Sequence, residues 1–484
     1  MNLRLLTSLA LCSLLLVLQA SAQSKSLYQY HDLSSFYYKN QKDSLKKAWT
    51  CPVVFREKET QKKYKELWDD RSQFLTSSIS DNSYIHDQVV YNYVQGIVSQ
   101  LVNANAGAIP AQPFLLIDRS SSVNAYAVGN NIIAVNLGLI VYAHTREEIA
   151  FAIAHELAHN ILNHVDNIIR QRAEWLTSQA YKDSLNAVLD SKYGRLSRLK
   201  KVYETYSFSR SRHQRYRESE ADSLALVLLK RCNVSFDASL FLHLDSSDMQ
   251  FKQPLKQPLK NYFTAYNVAF DESWTQRRSR GLSTKAYNFK DTTSIEDSLK
   301  THPDCEQRYE ATRAQTMPNG NFTPVDPAVR MLANKMMLWN LYNNENYTYV
   351  LYRIMLEKDK GNTDPWYDIM FSNVISSLQY SDRELHRFTA IGVVQKEYIS
   401  RNFYELQNML EQMPRESLEQ YAKTMQEHTS WATAGPDEQT LKAFLHTLAL
   451  GTDRSEDAKK EAARTLISAN KSSIYCELAA SFDK

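Results

Sequence analysis

The stretch His155-Glu156-Leu157-Ala158-His159 places two imidazoles and a carboxylate within one short segment. On a helix, residues four apart lie on one face a turn apart, so both imidazoles can hold one zinc ion. Glu156 is then placed to take a proton from a water that the ion activates. The helix that must carry these groups is visible around them. Thr145 followed by Glu148 is a capping box, which starts a helix about ten residues before the first ligand. Ile149, Ala152, Ile153 and Ala158 give that helix apolar surroundings, as a buried active-site helix needs. A core helix with two hydrogen-bonded histidines is the alternative until a third ligand is found.

A zinc site of this type needs a third protein ligand and an open position for water. The pattern in which a third histidine follows a glycine, HExxHxxGxxH, is excluded, because Leu162 and Val165 occupy those places. His164 lies nine residues after His155, about 180° round a continuous helix, and is expected to point away from the ion and serve structure. The better source is Arg217-Glu218-Ser219-Glu220-Ala221-Asp222. Glu218 and Asp222 share one helical face. One carboxylate can bind zinc while the other hydrogen-bonds a ligand imidazole and fixes its tautomer. Glu220 faces elsewhere and is the weaker ligand. An acidic cluster at a helix start can also be no more than a favourable dipole contact.

The elements that position these residues follow from periodicity. Val89, Val90, Tyr93, Val94, Ile97, Val98, Leu101 and Val102 recur at helical spacing. Strand-like runs follow at 114–117, 125–128 and 132–136, with Gly129-Asn130 as a hairpin turn between the last two. Helix, strands and the HExxH helix make a mixed α+β unit. Residues 23–80, with a stripe at Tyr64, Leu67, Trp68 and Leu75, read as a helical extension packing on that unit. The chain after His164 reads as helical to about Tyr206, and a further helix runs from Glu218 to Lys230. Residues 245–298, with the direct repeat Gln253-Pro-Leu-Lys and Gln257-Pro-Leu-Lys, read as an exposed loop with short helical pieces. Pro318, Asn319, Gly320 and Pro324 mark a boundary. Residues 325–484 form an all-α C-terminal domain with breaks at Gly361-Asn362, Gly435-Pro436 and Gly451. Helix pairs every 35–40 residues or so would suit a TPR-like array, while an undistinguished helical domain fits equally.

The 484 residues suffice for two or three domains, and 43% hydrophobic with 23% charged residues is the balance of a folded globular chain. A net charge of +3, with no basic run or basic-aromatic stripe, argues against nucleic acid as a partner. Arg4, the apolar run 5–18 and Ala20-Ser21-Ala22 compose a secretory signal peptide cleaved after residue 22. That run is too short to span a bilayer comfortably, and no later segment is long enough, so any membrane contact is expected to be peripheral. Cys51, Cys232, Cys305 and Cys476 are scattered without CxxC spacing, which argues against a metal framework and leaves disulfide pairing open.

Four segments, in order, resemble the HtpX, BepA and CAAX-prenyl-endopeptidase family of gluzincin zinc metallopeptidases. The run from Asn124 to Leu139 resembles the family's NAFA…G…GL stretch. His155 to His164 resembles its HExxH…RH helix, with Asn163 where Arg is common. Glu218 to Asp222 resembles its ExEAD motif, and Thr301-His302-Pro303 with Arg308 resembles its HP…R segment. The resemblance covers about residues 81–315, and the layout is closest to the periplasmic BepA-like branch.

The resemblance implies a mainly helical α+β peptidase domain with a small sheet, spanning residues 81–317. It implies one zinc ion per chain held by His155, His159 and Glu218, with Glu156 as general base. Asp222 is implied as the partner of a ligand imidazole. Asn124, Ala125, Tyr126 and Ala127 are implied as the edge strand on which a substrate lies by β-augmentation. His302 and Arg308 are implied near the active site, where His302 could donate to an oxyanion; structural roles, favoured for Arg308, stand beside these. The function implied is a secreted or periplasmic zinc-dependent endopeptidase, hydrolysing peptide bonds with metal-activated water. Its expected partners are unfolded or misassembled proteins and, through the C-terminal helices, envelope assembly machinery. The rival expectation is a chaperone or adaptor working through those helices, with the metal site regulatory or silent.

Overall fold

The computed structural model describes residues 36–276, 305–317, 320–469, 471 and 473–483. These fall into two compact units, one formed by residues 36–248, 305–317 and 320–337, the other by 249–276 and 338–483. The expected signal peptide lies outside the described residues. No described helix is long and apolar enough to cross a membrane.

The first unit begins with α1 (Phe36–Ala48), α2 (Lys58–Ser80) and α3 (Gln88–Ala104), the last capped by Asp87, whose carboxylate accepts from the amides of Val89 and Val90. Three strands follow, β1 (Phe114–Asp118), β2 (Ala125–Gly129) and β3 (Ile132–Asn136), in the order β1-β3-β2. β1 runs parallel to β3 and β2 antiparallel to it. Every residue of β3 is buried, which explains its unbroken apolar sequence at the centre of the sheet. Gly129, Asn130 and Asn131 all take positive φ in the turn between β2 and β3, a backbone that glycine and asparagine tolerate.

One face of this sheet is covered by the N-terminal segment. Tyr38, Trp49, Tyr64, Trp68, Leu75 and Ile79 form one core with Leu116, Val128, Ile132 and Ala134 of the strands. The expected extension is therefore part of this unit's core. Leu115, Ile117, Ile133 and Val135 alternate with those residues along β1 and β3 and are also buried. After the sheet come α4 (Leu137–Tyr142), α5 (Arg146–Ile161), which packs against β2 and β3, α6 (His164–Thr177) and α7 (Gln179–Leu189). The expected helix from Glu218 is the C-terminal part of a longer one, α8 (Arg195–Arg231). α9 (Leu240–Asp248) and α10 (Cys305–Thr312) pack on each other and complete the site. Gly138 has a packing reason: a Cβ there would sit 2.3 Å from the carbonyl oxygens of Ser121 and Ser122, in the loop that leads to β2.

The second unit is helical among its described residues. Its longer helices are α11 (Tyr347–Asp359), α12 (Pro365–Arg383), α13 (Arg401–Gln412), α14 (Arg415–Gln426), α15 (Pro436–Leu450) and α16 (Glu456–Ala469). The breaks at Gly361, Gly435 and Gly451 fall between helices. Residues 249–276, the described part of the expected exposed segment 245–298 beyond α9, do hold short helical pieces and are mostly exposed, but buried aromatic rings anchor them. Phe263 and Tyr266 meet Phe371 of α12 with ring centroids 5.3 and 4.8 Å apart, and the Tyr266 hydroxyl donates to Asp368 at 2.6 Å. Aromatic rings too irregularly spaced to show a period hold this segment in place. None of Cys51, Cys232, Cys305 and Cys476 forms a disulfide.

Candidate metal centre

α5 starts where its capping box predicts, with the Thr145 hydroxyl accepting from the Glu148 amide at 3.3 Å. It packs along α8, and the alanines on both, Ala154, Ala158, Ala221 and Ala225, are fully buried. Small side chains let two helix backbones come close, so a short carboxylate on one can reach imidazoles on the other. His155 Nε2 lies 3.0 Å from His159 Nε2 and 3.3 Å from Glu218 Oε2, and His159 Nε2 lies 3.6 Å from Glu218 Oε1. A tetrahedral zinc site with bonds of about 2.0–2.1 Å has ligand–ligand edges of roughly 3.3–3.4 Å. The three separations bracket that value. Glu218 Oε2 is buried and makes no hydrogen bond of good geometry, so its contact with His155 is electrostatic. Two ring nitrogens and a carboxylate converging on one point are a donor set suited to zinc.

Each imidazole is held from behind. His155 Nδ1 is 2.8 Å from Asp222 Oδ1, and Arg308 grips the same carboxylate through Nε at 2.9 Å and Nη2 at 2.6 Å. Below the Arg308 guanidinium lies the Phe241 ring of α9, 4.4 Å away at its centroid. On the other side, His159 Nδ1 is 2.8 Å from Nδ1 of His164, whose Nε2 is 3.5 Å from Glu220 Oε2. If His159 offers Nε2 to an ion, its Nδ1–H donates to His164, and His164 turns its own Nε2–H towards Glu220.

This corrects the position expected for His164. The expectation assumed one continuous helix, but α5 ends at Ile161 and Asn163 takes φ 54°. That left-handed residue redirects the chain and brings His164 back against His159. It remains outside the three converging groups. Glu220 also faces away from the converging groups, yet it has a partner in His164.

Without an ion, burial and charge set the protonation states. Burial pushes His155 down, but the carboxylates of Asp222 and Glu218 beside it outweigh that and raise the imidazole to about 9. Burial and the neighbouring His155 lower His159 to about 3. Burial pushes Glu218 and Asp222 upward, yet the adjacent His155 and Arg308 hold both well below the carboxylate range. Burial, reinforced by the charge of Glu218, raises Glu156 to about 7. A carboxylate whose pKa lies near neutrality is poised to accept and return a proton.

Glu156 also touches the strand implied for substrate, accepting a hydrogen bond from the Ala127 amide. Ala125, Tyr126 and Ala127 lie on β2, which pairs with β3 alone among the described strands. Asn124 precedes it and accepts from the Asn136 amide at 3.0 Å. The Tyr126 ring is committed elsewhere: its hydroxyl donates to Asp118 at 2.6 Å, so the backbone is what this residue can offer a ligand. A bulge lies between Ala127 and Gly129, and there Arg71 of α2 donates to the carbonyls of Val128 and Ala127 at 3.0 and 3.4 Å. Arg71 carried no sequence signal of its own, and the contact of His164 with His159 does not follow from local spacing. His302 lies outside the described residues.

Residues 90–316 match peptidase family M48. The chain carries a peptidase family M48 domain. The match covers all the converging groups and ends in the short turn after α10. The chain is also 26% identical over 158 residues to a putative beta-barrel assembly-enhancing protease of Vibrio cholerae serotype O1. That stretch is 32% of this chain and 32% of the relative, so it spans about a third of the curated relative's length. M48 members are zinc metallopeptidases, and the residues present fit such a role.

Proposed function

We propose that this protein is a zinc-dependent metalloendopeptidase with its site between α5 and α8. The observation that carries the reading is the convergence of His155, His159 and Glu218, with buried Glu156 beside them. The bound ion supplies a Lewis acid that polarises the scissile carbonyl and acidifies water. His155, His159 and Glu218 hold it. Asp222 and Arg308 lock the His155 ring, while His164 and Glu220 lock that of His159. Glu156 takes the proton from the attacking water and delivers it to the leaving amine. The segment 124–127, at the start of β2, lays the substrate alongside as an added strand and reads main chain rather than side chains, so broad specificity follows.

The expected signal peptide directs the chain to the periplasm or outside the cell. There, unfolded or misassembled envelope proteins are the substrates such a site suits. The second helical unit is the surface offered to assembly machinery. The similarity to a relative named for beta-barrel assembly supports that assignment. The test is cleavage of casein by the mature protein, with and without a chelator. Hydrolysis that a chelator abolishes and zinc restores supports the reading. Hydrolysis unaffected by chelation overturns it.

A further inference from the structure

A second group of imidazoles and carboxylate lies at the opposite end of α5. His144 sits just before the helix, Glu148 in its first turn, and His243 on α9. Each offers a ligand atom, and all these atoms lie within 4.8 Å of one another. The two rings stack with centroids 3.4 Å apart, and His243 Nε2 is 3.9 Å from Glu148 Oε2. Glu148 is aimed by the backbone, accepting from the His144 amide at 2.7 Å. His243 Nε2 lies 3.0 Å from the Tyr142 carbonyl, so the tautomer that donates there turns Nδ1 into an acceptor, with the Ser247 hydroxyl 3.4 Å away as the partner an ion would displace. A ligand imidazole tied to a backbone carbonyl through its other nitrogen is the usual arrangement behind a metal site.

The geometry points to a second transition-metal site formed by His144, Glu148 and His243. Its donor set, two imidazoles and one carboxylate, selects zinc or a similar borderline ion over calcium or magnesium, which demand oxygen ligands. Arg330, bonded to the carbonyls of Ala143 and His144 at 2.7 and 3.2 Å, puts a positive charge beside Glu148, so the imidazoles rather than excess negative charge must carry the affinity. His144 is exposed, so the fourth position of the site is open to solvent.

Glu148 and His155 are seven residues apart, two turns along one helix face, so this site lies about 10 Å from the first. The link between them is α9. It carries His243 at the second site and Phe241, which lies under Arg308 and meets Phe151 of α5 edge-on at 5.2 Å. An ion joining His243 to the start of α5 therefore fixes the helix that floors the Arg308–Asp222–His155 chain. The inference stands apart from the peptidase reading, because an inactive chain would bind two ions equally well.

The test is metal content of the tag-free mature protein, dialysed against buffered submicromolar free zinc. Wild type is expected to retain about two ions per chain. The double variant His144→Ala/His243→Ala is expected to retain about one, and so is His155→Ala/His159→Ala. Glu148 is left in place because it also caps α5. Cobalt added to the His155→Ala/His159→Ala protein should give visible absorption that a further His243→Ala removes. One ion in folded wild type, or two in His144→Ala/His243→Ala, overturns the proposal. The wild-type count and the cobalt spectrum decide the matter even if the His144→Ala/His243→Ala variant fails to fold.

Discussion

The two ends of α5 offer the same donors, imidazole and carboxylate, in opposite settings. At the C-terminal end, His155 is buried, and each ligand ring is backed by a partner that is itself held: Asp222 by Arg308, His164 by Glu220. At the N-terminal end, His144 is exposed and His243 is tied to one carbonyl, with a distant hydroxyl of Ser247 at 3.4 Å. The difference teaches what would separate the proposed catalytic centre from a simple binding site. Three donors suffice to hold an ion, but fixing ring angle and tautomer takes a further layer of groups. Between these two groups, that layer is found where α5, α6, α8 and α10 meet.

The largest way to break this contrast is at Arg308. Arg308→Met takes from the buried Asp222 carboxylate its guanidinium partner and leaves it His155, and the loss of stability should be about 3 kcal/mol, read from urea unfolding of the first unit. His144→Ala, at the exposed end, should shift the same measurement by no more than about 0.5 kcal/mol in the absence of added metal. Equal effects would dissolve the distinction between the two ends. Next in size is Asp222→Asn, which keeps the shape but no longer enforces the His155 tautomer. Zinc affinity should fall by about 10–100-fold in competition with a chromophoric chelator. His164→Ala should act in the same direction near the lower limit of about tenfold, because His159 still finds water. An affinity unchanged in both would show that the backing groups do not tune the ion.

A finer test concerns protons. With no ion, His155 titrates at about 9, so at pH 8 the ring is mostly charged. Glu156, at about 7, is by then mostly ionised, and His159, at about 3, is neutral. An ion accepts only the neutral imidazole, so binding at pH 8 should expel about one proton. Affinity should then rise about tenfold per pH unit below 9. Calorimetry in buffers of different ionisation enthalpy reads the proton count directly. No proton release would mean that His155 is not a ligand or is already neutral.

Much of the site and its scaffold is legible in the amino-acid sequence. Thr145 and Glu148 set the start of α5, the ligand spacing lies on one face of it, and the three strands fall within a residue of their apolar runs. The features that the sequence hides depend on single backbone torsions or on long-range packing. Asn163 is one residue in a left-handed conformation, and nothing local distinguishes it from a residue that continues the helix. That one torsion moves His164 from the far side of α5 to the back of His159. Residues 249–276 are mostly exposed, as read, but their aromatic anchors follow no period, so the burial of Phe263 and Tyr266 against Phe371 carries no sequence signal. His144 and His243 are far apart in sequence and share no motif, so only the packing of α9 on the first unit brings them together. Arg71 reaches β2 from a helix more than fifty residues earlier in the chain, with no pattern to announce the contact.

The central claim is that His155, His159 and Glu218 hold an ion while Glu156 moves the proton. The measurement that tests it most directly is zinc content and casein cleavage of the mature protein beside Glu156→Gln. The account predicts equal zinc in both, with cleavage lowered by at least about 100-fold in the variant. Full cleavage by Glu156→Gln would contradict the role of Glu156, and a wild type that retains no zinc would contradict the ligand assignment.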